Sequence, residues 1–424
     1  MIILKEEKEM KNIYAVRNEV RKKHDTKLQV MRIDRRLRHL VMIVAILSFL
    51  SLLGVYSASF YIKGNMGSRE FLKHTISFGA SLFAFVITLK IDYRNYEKKN
   101  YLRAVFLIPI IVLAAMPILG AVFPKLIPLR NGARGWITAG PLSIQPAEVF
   151  KIFYVILMAY NLSVAEKERY EAKGIVASSG IIFGLFAFLI MFQNDLGTVI
   201  HYFSITLFML FMSKISDKII WRAVGAVSVL LTGVTIYVYL KFDTFVSGYK
   251  TGRIKSYVEG LLSNTYDQDK GYQVGQSLLG LGNGGIFGTG YGNGVQKYSY
   301  LPEIHTDFIL ASFGEEFGLI GILIVIVLFF GLFNRIKGTA VECEDYLGKY
   351  LSVGIAGYIF IQFLINISVA IGLLPVFGIP MPIMSFGGSS LLTVFMALGI
   401  VGNVNLVKRR EARKKIKKME IEKA

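Results

Sequence analysis

The sequence predicts an all-α, polytopic membrane protein with about ten transmembrane helices and one long extracytoplasmic loop. Hydrophobic residues make up 54% of the 424 residues and charged residues only 18%, with a mean hydropathy of +0.51. A typical soluble domain is about 45–50% apolar and about 25% charged. This composition excludes an intrinsically disordered chain and disfavours a soluble enzyme. The single cysteine, Cys343, excludes a disulfide framework and a multi-cysteine metal centre.

Ten apolar runs are suited to crossing the roughly 30 Å of a bilayer's hydrocarbon as helices. Their apolar character is continuous rather than alternating, and a helix satisfies its own backbone hydrogen bonds in lipid. The predicted spans are Leu40–Phe60, Phe71–Leu89, Ala104–Phe123, Ala147–Val164, Gly174–Phe192, Leu196–Met212, Ile219–Leu240, Phe308–Phe333, Leu351–Leu373 and Ser389–Val407.

The distribution of positive charge predicts the orientation of these spans. With a cytoplasmic N-terminus, 35 of the 48 Lys and Arg residues fall in cytoplasmic segments and 12 in outer segments. The net charge of +19 then reflects topology and attraction to anionic lipid, and we expect no nucleic-acid partner. We expect a basic cytoplasmic segment (1–39), a membrane domain (40–407) and a basic cytoplasmic tail (408–424), with both termini inside.

The longest predicted outer segment covers residues 241–307, which is too long for a plain hairpin and is therefore a functional candidate. It contains eight glycines in the fifteen residues 280–294. Three of them match G-x-G-x-x-G, but no strand precedes them and the loop faces away from cytosolic nucleotides. The stretch is either a flexible linker or backbone that turns sharply and approaches a bulky polar ligand closely.

Few ionisable residues fall within the predicted spans, where each costs about 2.5–3.5 kcal/mol on insertion scales. Glu148 and Lys151 lie on one helical face and are close enough to pair, either to order the bundle or to line a polar cavity. Asp195 suits a tight turn that caps the next helix. Glu315 and Glu316 point about 100° apart, so only one readily faces a given cavity.

Four polar residues, Glu303, His305, Thr306 and Asp307, lie where the long loop re-enters the membrane. Asp307 is expected near the outer interface at a helix N-terminus, where the helix dipole favours an ionised carboxylate. Such a group can act as a general base on a hydroxyl. Alternatively, Thr306 or Asp307 caps the helix. Glu303 and His305 could contribute to a metal site, although two ligands without a third are weak evidence.

Four stretches resemble the SEDS proteins (shape, elongation, division, sporulation), the family of RodA, FtsW and SpoVE. The resemblance covers about residues 40–407. The stretches are NGARGWITAGPLSIQPAEVFK (131–151), QNDLGT (193–198), GYQVGQSLLGLGNGGIFGTGYGNGVQKYSYLPEIHTDFILASFGEEFGLIG (271–321) and GLLPVFGIPMPIMSFGGSSLL (372–392). The chain departs from the common family pattern at Ala147, Asn194, Phe377 and Phe386. These departures bear on the subfamily rather than on activity.

The resemblance implies peptidoglycan glycosyltransfer at the outer face of the bacterial cytoplasmic membrane. Family members polymerise lipid II, with the growing glycan held on undecaprenyl pyrophosphate, and act with a class B penicillin-binding protein in elongation, division or sporulation. By the same resemblance, Asp307 is the catalytic carboxylate and Trp136 is important for activity. Glu148 and Lys151 are expected to line the central cavity.

The departing pyrophosphate requires positive charge near the outer interface, and Arg134, Arg253, Lys255 and Lys297 are the candidates. Glu303, His305 and Thr306 are expected to bind substrate beside Asp307. A divalent cation could share the charge, but no ligand set in the sequence demands one.

Two other functions remain open. A transporter that flips lipid II suits the ten spans and the intramembrane pair of Glu148 and Lys151. However, the polar residues gather at the outer interface, whereas a transporter site usually lies near the bilayer midplane. The third reading is a noncatalytic scaffold.

Overall fold

A computed structural model of the chain describes residues 2–60, 66–130, 132–140, 142–213, 271–298 and 300–421, together with five isolated positions between 218 and 225. Between the α-helices lie a short 3₁₀ helix (Tyr93–Glu97) and a two-stranded antiparallel hairpin, β1 (Ile137–Ala139) and β2 (Leu142–Ile144). The α-helices of the described residues are α1 (Ile2–Phe60), α2 (Met66–Lys90), α3 (Lys99–Val122), α4 (Pro146–Lys167), α5 (Ala172–Met191), α6 (Leu196–Phe211), α7 (Tyr272–Gly284), α8 (Ile309–Glu342), α9 (Tyr346–Ala370) and α10 (Gly388–Ile421).

The helices confirm the all-α membrane fold. Eight of them are long and apolar enough to cross a membrane, and each corresponds to one predicted span. The predicted sixth span is present as α6, a shorter apolar helix of 16 residues. The predicted seventh span, Ile219–Leu240, lies almost wholly outside the described residues, as do residues 241–270.

Three helices extend well beyond their predicted spans. Helix α1 begins at Ile2, α8 continues to Glu342 and α10 continues to Ile421. Their polar extensions form ion pairs, including Arg36 with Glu342 and Arg409 with Asp34 at 2.7 Å. Neither expected domain boundary, at residues 39/40 or 407/408, therefore coincides with a helix end, since the helices remain paired beyond the apolar core.

Helix α4 lies at the centre of the bundle, where it packs against α3, α9 and α10. Within their most apolar stretches, most residues of α4, α9 and α10 are buried, whereas few of those of α2 and α5 are. The core beside α4 contains the fully buried rings of Tyr154, Tyr202 and Tyr358. This packing places the beginning of α4, with its two charged residues, inside the bundle.

The glycine-rich segment is packed against α8, an arrangement that neither sequence interpretation anticipated. Within the predicted loop 241–307, residues 272–284 form helix α7, and a Cβ built on Gly284 would lie 2.1 Å from the Gly314 carbonyl oxygen. The backbone N–H of Thr289 donates to the Glu315 carbonyl at 3.0 Å. Glu315 in turn accepts from the backbone N–H of Gln296 at 3.1 Å. The glycines thus allow close contact between main chains.

Gly288 gives a direct test of this packing. It has φ +82°, and a Cβ built there would lie 2.2 Å from the Glu316 carbonyl oxygen. Gly292 has a matching φ of +83°, but a Cβ there would meet nothing within 4 Å. In the left-handed region, Ala costs about 1–2 kcal/mol at either position, and overpacking adds a further ~1–3 kcal/mol only at Gly288. We therefore expect Gly288→Ala to unfold at a clearly lower temperature in detergent than Gly292→Ala; equal melting temperatures would contradict the packing.

Candidate functional site

A cavity of about 390 Å³, lined by both polar and apolar residues, lies at the end of the bundle where α4, α6, α8 and α10 begin. Because each helix directs its N-terminus toward the cavity, four partial positive charges converge there. The cavity is built from the β1–β2 hairpin, the turn before α6, the approach to α8 and the segment between α9 and α10. Of the residues predicted from sequence, it brings together Trp136, Glu148, Glu303, His305, Thr306 and Asp307.

Lys297 lies elsewhere, so we withdraw it as a substrate-binding residue. Its side chain is buried between α1 and α8, with Nζ 2.8 Å from Glu316 Oε1 and 3.1 Å from Ser57 Oγ. It is not among the residues that line the cavity. The ammonium instead compensates the Glu316 carboxylate, so neither Glu315 nor Glu316 faces the site: both hold the glycine-rich segment to α8.

Arg130, rather than Arg134, lines the cavity. The Arg130 guanidinium donates to Ser143 Oγ at 3.0 Å and to Thr138 Oγ1 at 3.1 Å. These two hydroxyl residues are directly opposite each other in the β1–β2 hairpin, so the strand register orients the arginine. The Arg134 side chain lies beside α3, with Cδ 3.2 Å from a Cβ built on Gly120. The other proposed cations, Arg253 and Lys255, lie outside the described residues.

Glu148 and Lys151 form the predicted ion pair within α4. Both side chains are buried, and Glu148 Oε1 accepts from Lys151 Nζ. Glu148 lines the cavity and its Oε2 has no hydrogen-bond partner within the described part of the chain. Lys151 is not among the cavity-lining residues, contrary to expectation, because it lies one helical turn deeper. The pair therefore joins the cavity wall to the core.

Asp195 caps α6, as predicted. It accepts from the Thr198 backbone N–H at 3.1 Å and from Thr198 Oγ1 at 2.8 Å. It also accepts from Gln145 Nε2 at 2.6 Å, and the Gln145 backbone N–H donates to Ser389 Oγ at 2.8 Å. These contacts link the beginnings of α4, α6 and α10 around the cavity. The roles of Gln145 and Ser389 were missed in the sequence, because their partners are distant along the chain.

Asp307 lines the cavity just before α8. The helix begins at Ile309, and its N-cap position is Phe308, without a side-chain cap. The prediction that Thr306 or Asp307 is the N-cap was therefore wrong. Thr306 Oγ1 instead donates to Glu303 Oε2 at 2.8 Å, and a Cβ built on Gly378 would lie 3.8 Å from Asp307 Oδ2.

His305 and Phe386 both line the cavity and contact each other. The His305 ring centroid lies 5.4 Å from that of Phe386, and the His305 carbonyl oxygen accepts from the Phe386 backbone N–H at 2.8 Å. Glu303 adopts φ +56°, which turns the chain between α7 and α8 toward the cavity. Among the described residues, no group of three or more His, Cys, Asp or Glu is placed to hold a metal ion.

Comparison with known proteins establishes the family. The family described as "Cell cycle protein", which groups FtsW, RodA and SpoVE, matches residues 38–410. The chain belongs to this SEDS family. Among curated relatives, stage V sporulation protein E of Bacillus subtilis is 35% identical over 376 residues, covering 87% of this chain and 97% of the relative. The probable peptidoglycan glycosyltransferase FtsW of Haemophilus ducreyi is 31% identical, covering 88% and 90%.

Solved structures show the same SEDS fold. A chain from the solved structure of a peptidoglycan synthase complex that coordinates polymerization and crosslinking superposes with a TM-score of 0.66 at 21% identity. It covers 87% of this chain and 97% of that chain. Thermus thermophilus RodA gives a TM-score of 0.59 at 22% identity, covering 87% and 96%.

Three of the four departures from the SEDS pattern lie in the cavity wall. They are Asn194, Phe377 and Phe386. The fourth, Ala147, is buried, and its carbonyl oxygen accepts from the Tyr202 hydroxyl at 2.8 Å.

His305 predicts a pH dependence of stability. Burial lowers the pKa of His305 below its usual value of 6.5, although the Glu303 and Glu70 carboxylates oppose this shift. Below about pH 6.5 the unfolded chain then binds more protons than the folded chain, so the free energy of unfolding falls as the pH falls. We expect His305→Gln to lose less stability than the unsubstituted protein between about pH 7.5 and about pH 5.5. The stability of both proteins is measured by melting in detergent across this pH range. Parallel curves for His305→Gln and the unsubstituted protein would contradict the prediction.

Proposed function

We propose that this SEDS protein is a peptidoglycan glycosyltransferase that polymerises lipid II at the outer face of the bacterial cytoplasmic membrane. The observation that carries the proposal is Asp307 in a cavity on which four helix N-termini converge. Relatives about 31% identical over most of the chain are named probable peptidoglycan glycosyltransferases. A carboxylate that accepts a proton and positive groups that face the departing pyrophosphate are the two elements that this reaction requires.

Helix direction supports the outer location of the cavity. Helix α8 runs away from the cavity to Glu342, and the polar extensions of α1 and α10 pair with one another at that opposite end. These extensions are rich in Lys and Arg, which favours a cytoplasmic location for this end of the bundle. We therefore propose that both termini are cytoplasmic and that Asp307 and the cavity face the outer side of the membrane.

In the proposed reaction, Asp307 accepts the proton of the 4-hydroxyl of an incoming lipid II sugar. The hydroxyl oxygen forms a bond to the anomeric carbon of the growing glycan, opposite the bond to pyrophosphate. That bond breaks, and its electron pair leaves with undecaprenyl pyrophosphate. Attack from the opposite face inverts the configuration at the anomeric carbon.

Negative charge on the departing pyrophosphate would be stabilised by the Arg130 guanidinium and by the N-termini of the converging helices. Arg130 therefore takes the role first assigned to Arg134 and Lys297. Trp136 and Phe377 give the cavity an aromatic wall suited to packing against sugar rings. No step of the proposal passes through a metal ion.

We also propose a class B penicillin-binding protein as partner, to cross-link the strands that this protein makes. The chain shares its fold with a chain of a peptidoglycan synthase complex that coordinates polymerization and crosslinking.

The runner-up, a lipid II flippase, is less well supported by the described core. Glu148 lines the cavity, but behind it lie the fully buried Lys151, Tyr154, Tyr202 and Tyr358. A polar head group would have to displace these side chains to move further along α4. The described side chains thus favour a site that works from one face.

One experiment separates the three functions. The purified protein, alone and with its class B penicillin-binding partner, is incubated with lipid II, and glycan chains are resolved on gels. The same preparation in vesicles is tested for flipping of a fluorescent lipid II. Polymer formation supports the proposal. Flipping without polymer formation would support the transporter. Absence of both activities, with and without the partner, would support the scaffold. Either of these two outcomes would overturn the proposal.

A further inference from the structure

We propose that Asn366 is a positioning residue that fixes Asp307 for proton transfer; the inference rests on the proposed function. Asn366 lies on α9 and is 1% exposed. Its Nδ2 donates to the Asp307 carbonyl oxygen at 2.8 Å and to the Ile379 carbonyl oxygen at 2.9 Å. Asn366 does not line the cavity, so it acts through Asp307 rather than on substrate.

The two contacts use both hydrogens of a single amide group. Because both partners are carbonyl oxygens, the nitrogen rather than the oxygen of the side chain must face them. Asn366 Oδ1 has no hydrogen-bond partner among the described residues. A buried amide oxygen without a partner is unfavourable. The side chain nevertheless adopts this orientation, in which its nitrogen joins two main-chain segments.

The segment held against Asp307 is part of the cavity wall. Ile379 follows Gly378, which lines the cavity, has φ +72° and would bring a Cβ within 3.8 Å of Asp307 Oδ2. The segment also approaches α6, because a Cβ built on Gly197 would lie 2.3 Å from the Phe377 carbonyl oxygen. Asn366 therefore sets both the main chain of the carboxylate and the wall that faces it. A misplacement of about 1 Å can reduce catalysis about 10²-fold.

Gln362 provides a matched control one helical turn earlier on α9. Its Nε2 donates to the Pro380 carbonyl oxygen at 2.7 Å and to Ser390 Oγ at 2.9 Å. It is also fully buried, and its Oε1 also has no hydrogen-bond partner within the described chain. Gln362 thus holds the same segment with the same chemistry, and its hydrogen bonds do not include Asp307.

The test compares Asn366→Leu with Gln362→Leu in the full-length protein in detergent. Rates of lipid II polymerisation are measured against lipid II concentration, and melting temperatures are recorded. We expect both variants to melt at lower temperature. Asn366→Leu should lower kcat about 10–100-fold with KM changed less than about threefold, whereas Gln362→Leu should lower kcat less than about threefold. Asn366→Ser, which keeps one donor, should have an intermediate kcat.

Equal loss of kcat in the two leucine variants would overturn the proposal, since the effect would then come from loosening the shared segment. An unchanged kcat in Asn366→Leu would overturn it as well. Asp307→Asn in the same assay separates this inference from the proposed function. If Asp307→Asn polymerises normally, the proposed role of Asp307 fails; if it is inactive while Asn366→Leu keeps full kcat, only the positioning role fails.

Discussion

Asp307→Asn is expected to lower the rate of lipid II polymerisation about 10²–10⁴-fold without unfolding the protein, the range expected when a general base is removed. Asparagine has nearly the same shape, but its amide does not accept the proton of the attacking hydroxyl. The main-chain contact with Asn366 uses the carbonyl oxygen of residue 307, which the substitution leaves in place. The loss should therefore fall on kcat, with the melting temperature nearly unchanged.

Glu303→Gln is the control for a general loss of negative charge. Glu303 also lines the cavity, and Thr306 Oγ1 donates to its carboxylate at 2.8 Å. Removing this charge changes the electrostatic potential of the cavity but not the proposed base, so we expect a reduction of less than about tenfold. Polymerisation by folded Asp307→Asn at the rate of the unsubstituted protein, or equal losses in the two variants, would contradict the assigned role.

The apolar spans could be predicted from sequence because each is a local property of about 20 residues. Helix α7 could not, because glycines within its sequence disfavour an isolated helix. Its helical form depends on contact with α8, where Gly284 and Gly314 allow the two main chains to meet. The extension of α10 was missed for a similar reason, since its polar residues are stabilised by ion pairs with distant parts of the chain.

The candidate site was predicted where a short motif carries the chemistry. Asp307, Trp136 and Glu148 each lie in such a motif and line the cavity. Lys297 was misassigned because its partner, Glu316, is 19 residues away and faces it only after α8 has packed. Arg130 was missed because the register of the β1–β2 hairpin orients its side chain.

The pair of Glu148 and Lys151 predicts a large loss of stability that a second substitution should reverse. Glu148→Gln leaves the Lys151 ammonium without its counter-ion in the fully buried core, which is expected to cost about 3–5 kcal/mol. Lys151→Met should cost less, because the Glu148 carboxylate that it leaves behind lies in the cavity wall rather than one turn deeper in the core. These differences are measured as free energies of unfolding in detergent and denaturant.

The double variant Glu148→Gln/Lys151→Met decides whether the pair serves the fold or the reaction. It removes both charges and keeps similar side-chain volumes, so stability should return to within about 1 kcal/mol of the unsubstituted protein. If the Glu148 carboxylate also contacts substrate from the cavity wall, lipid II polymerisation stays low even though the fold has recovered. Recovery of both properties would make the pair purely structural. A double variant as unstable as Glu148→Gln would show that an uncompensated charge is not the cause of the loss.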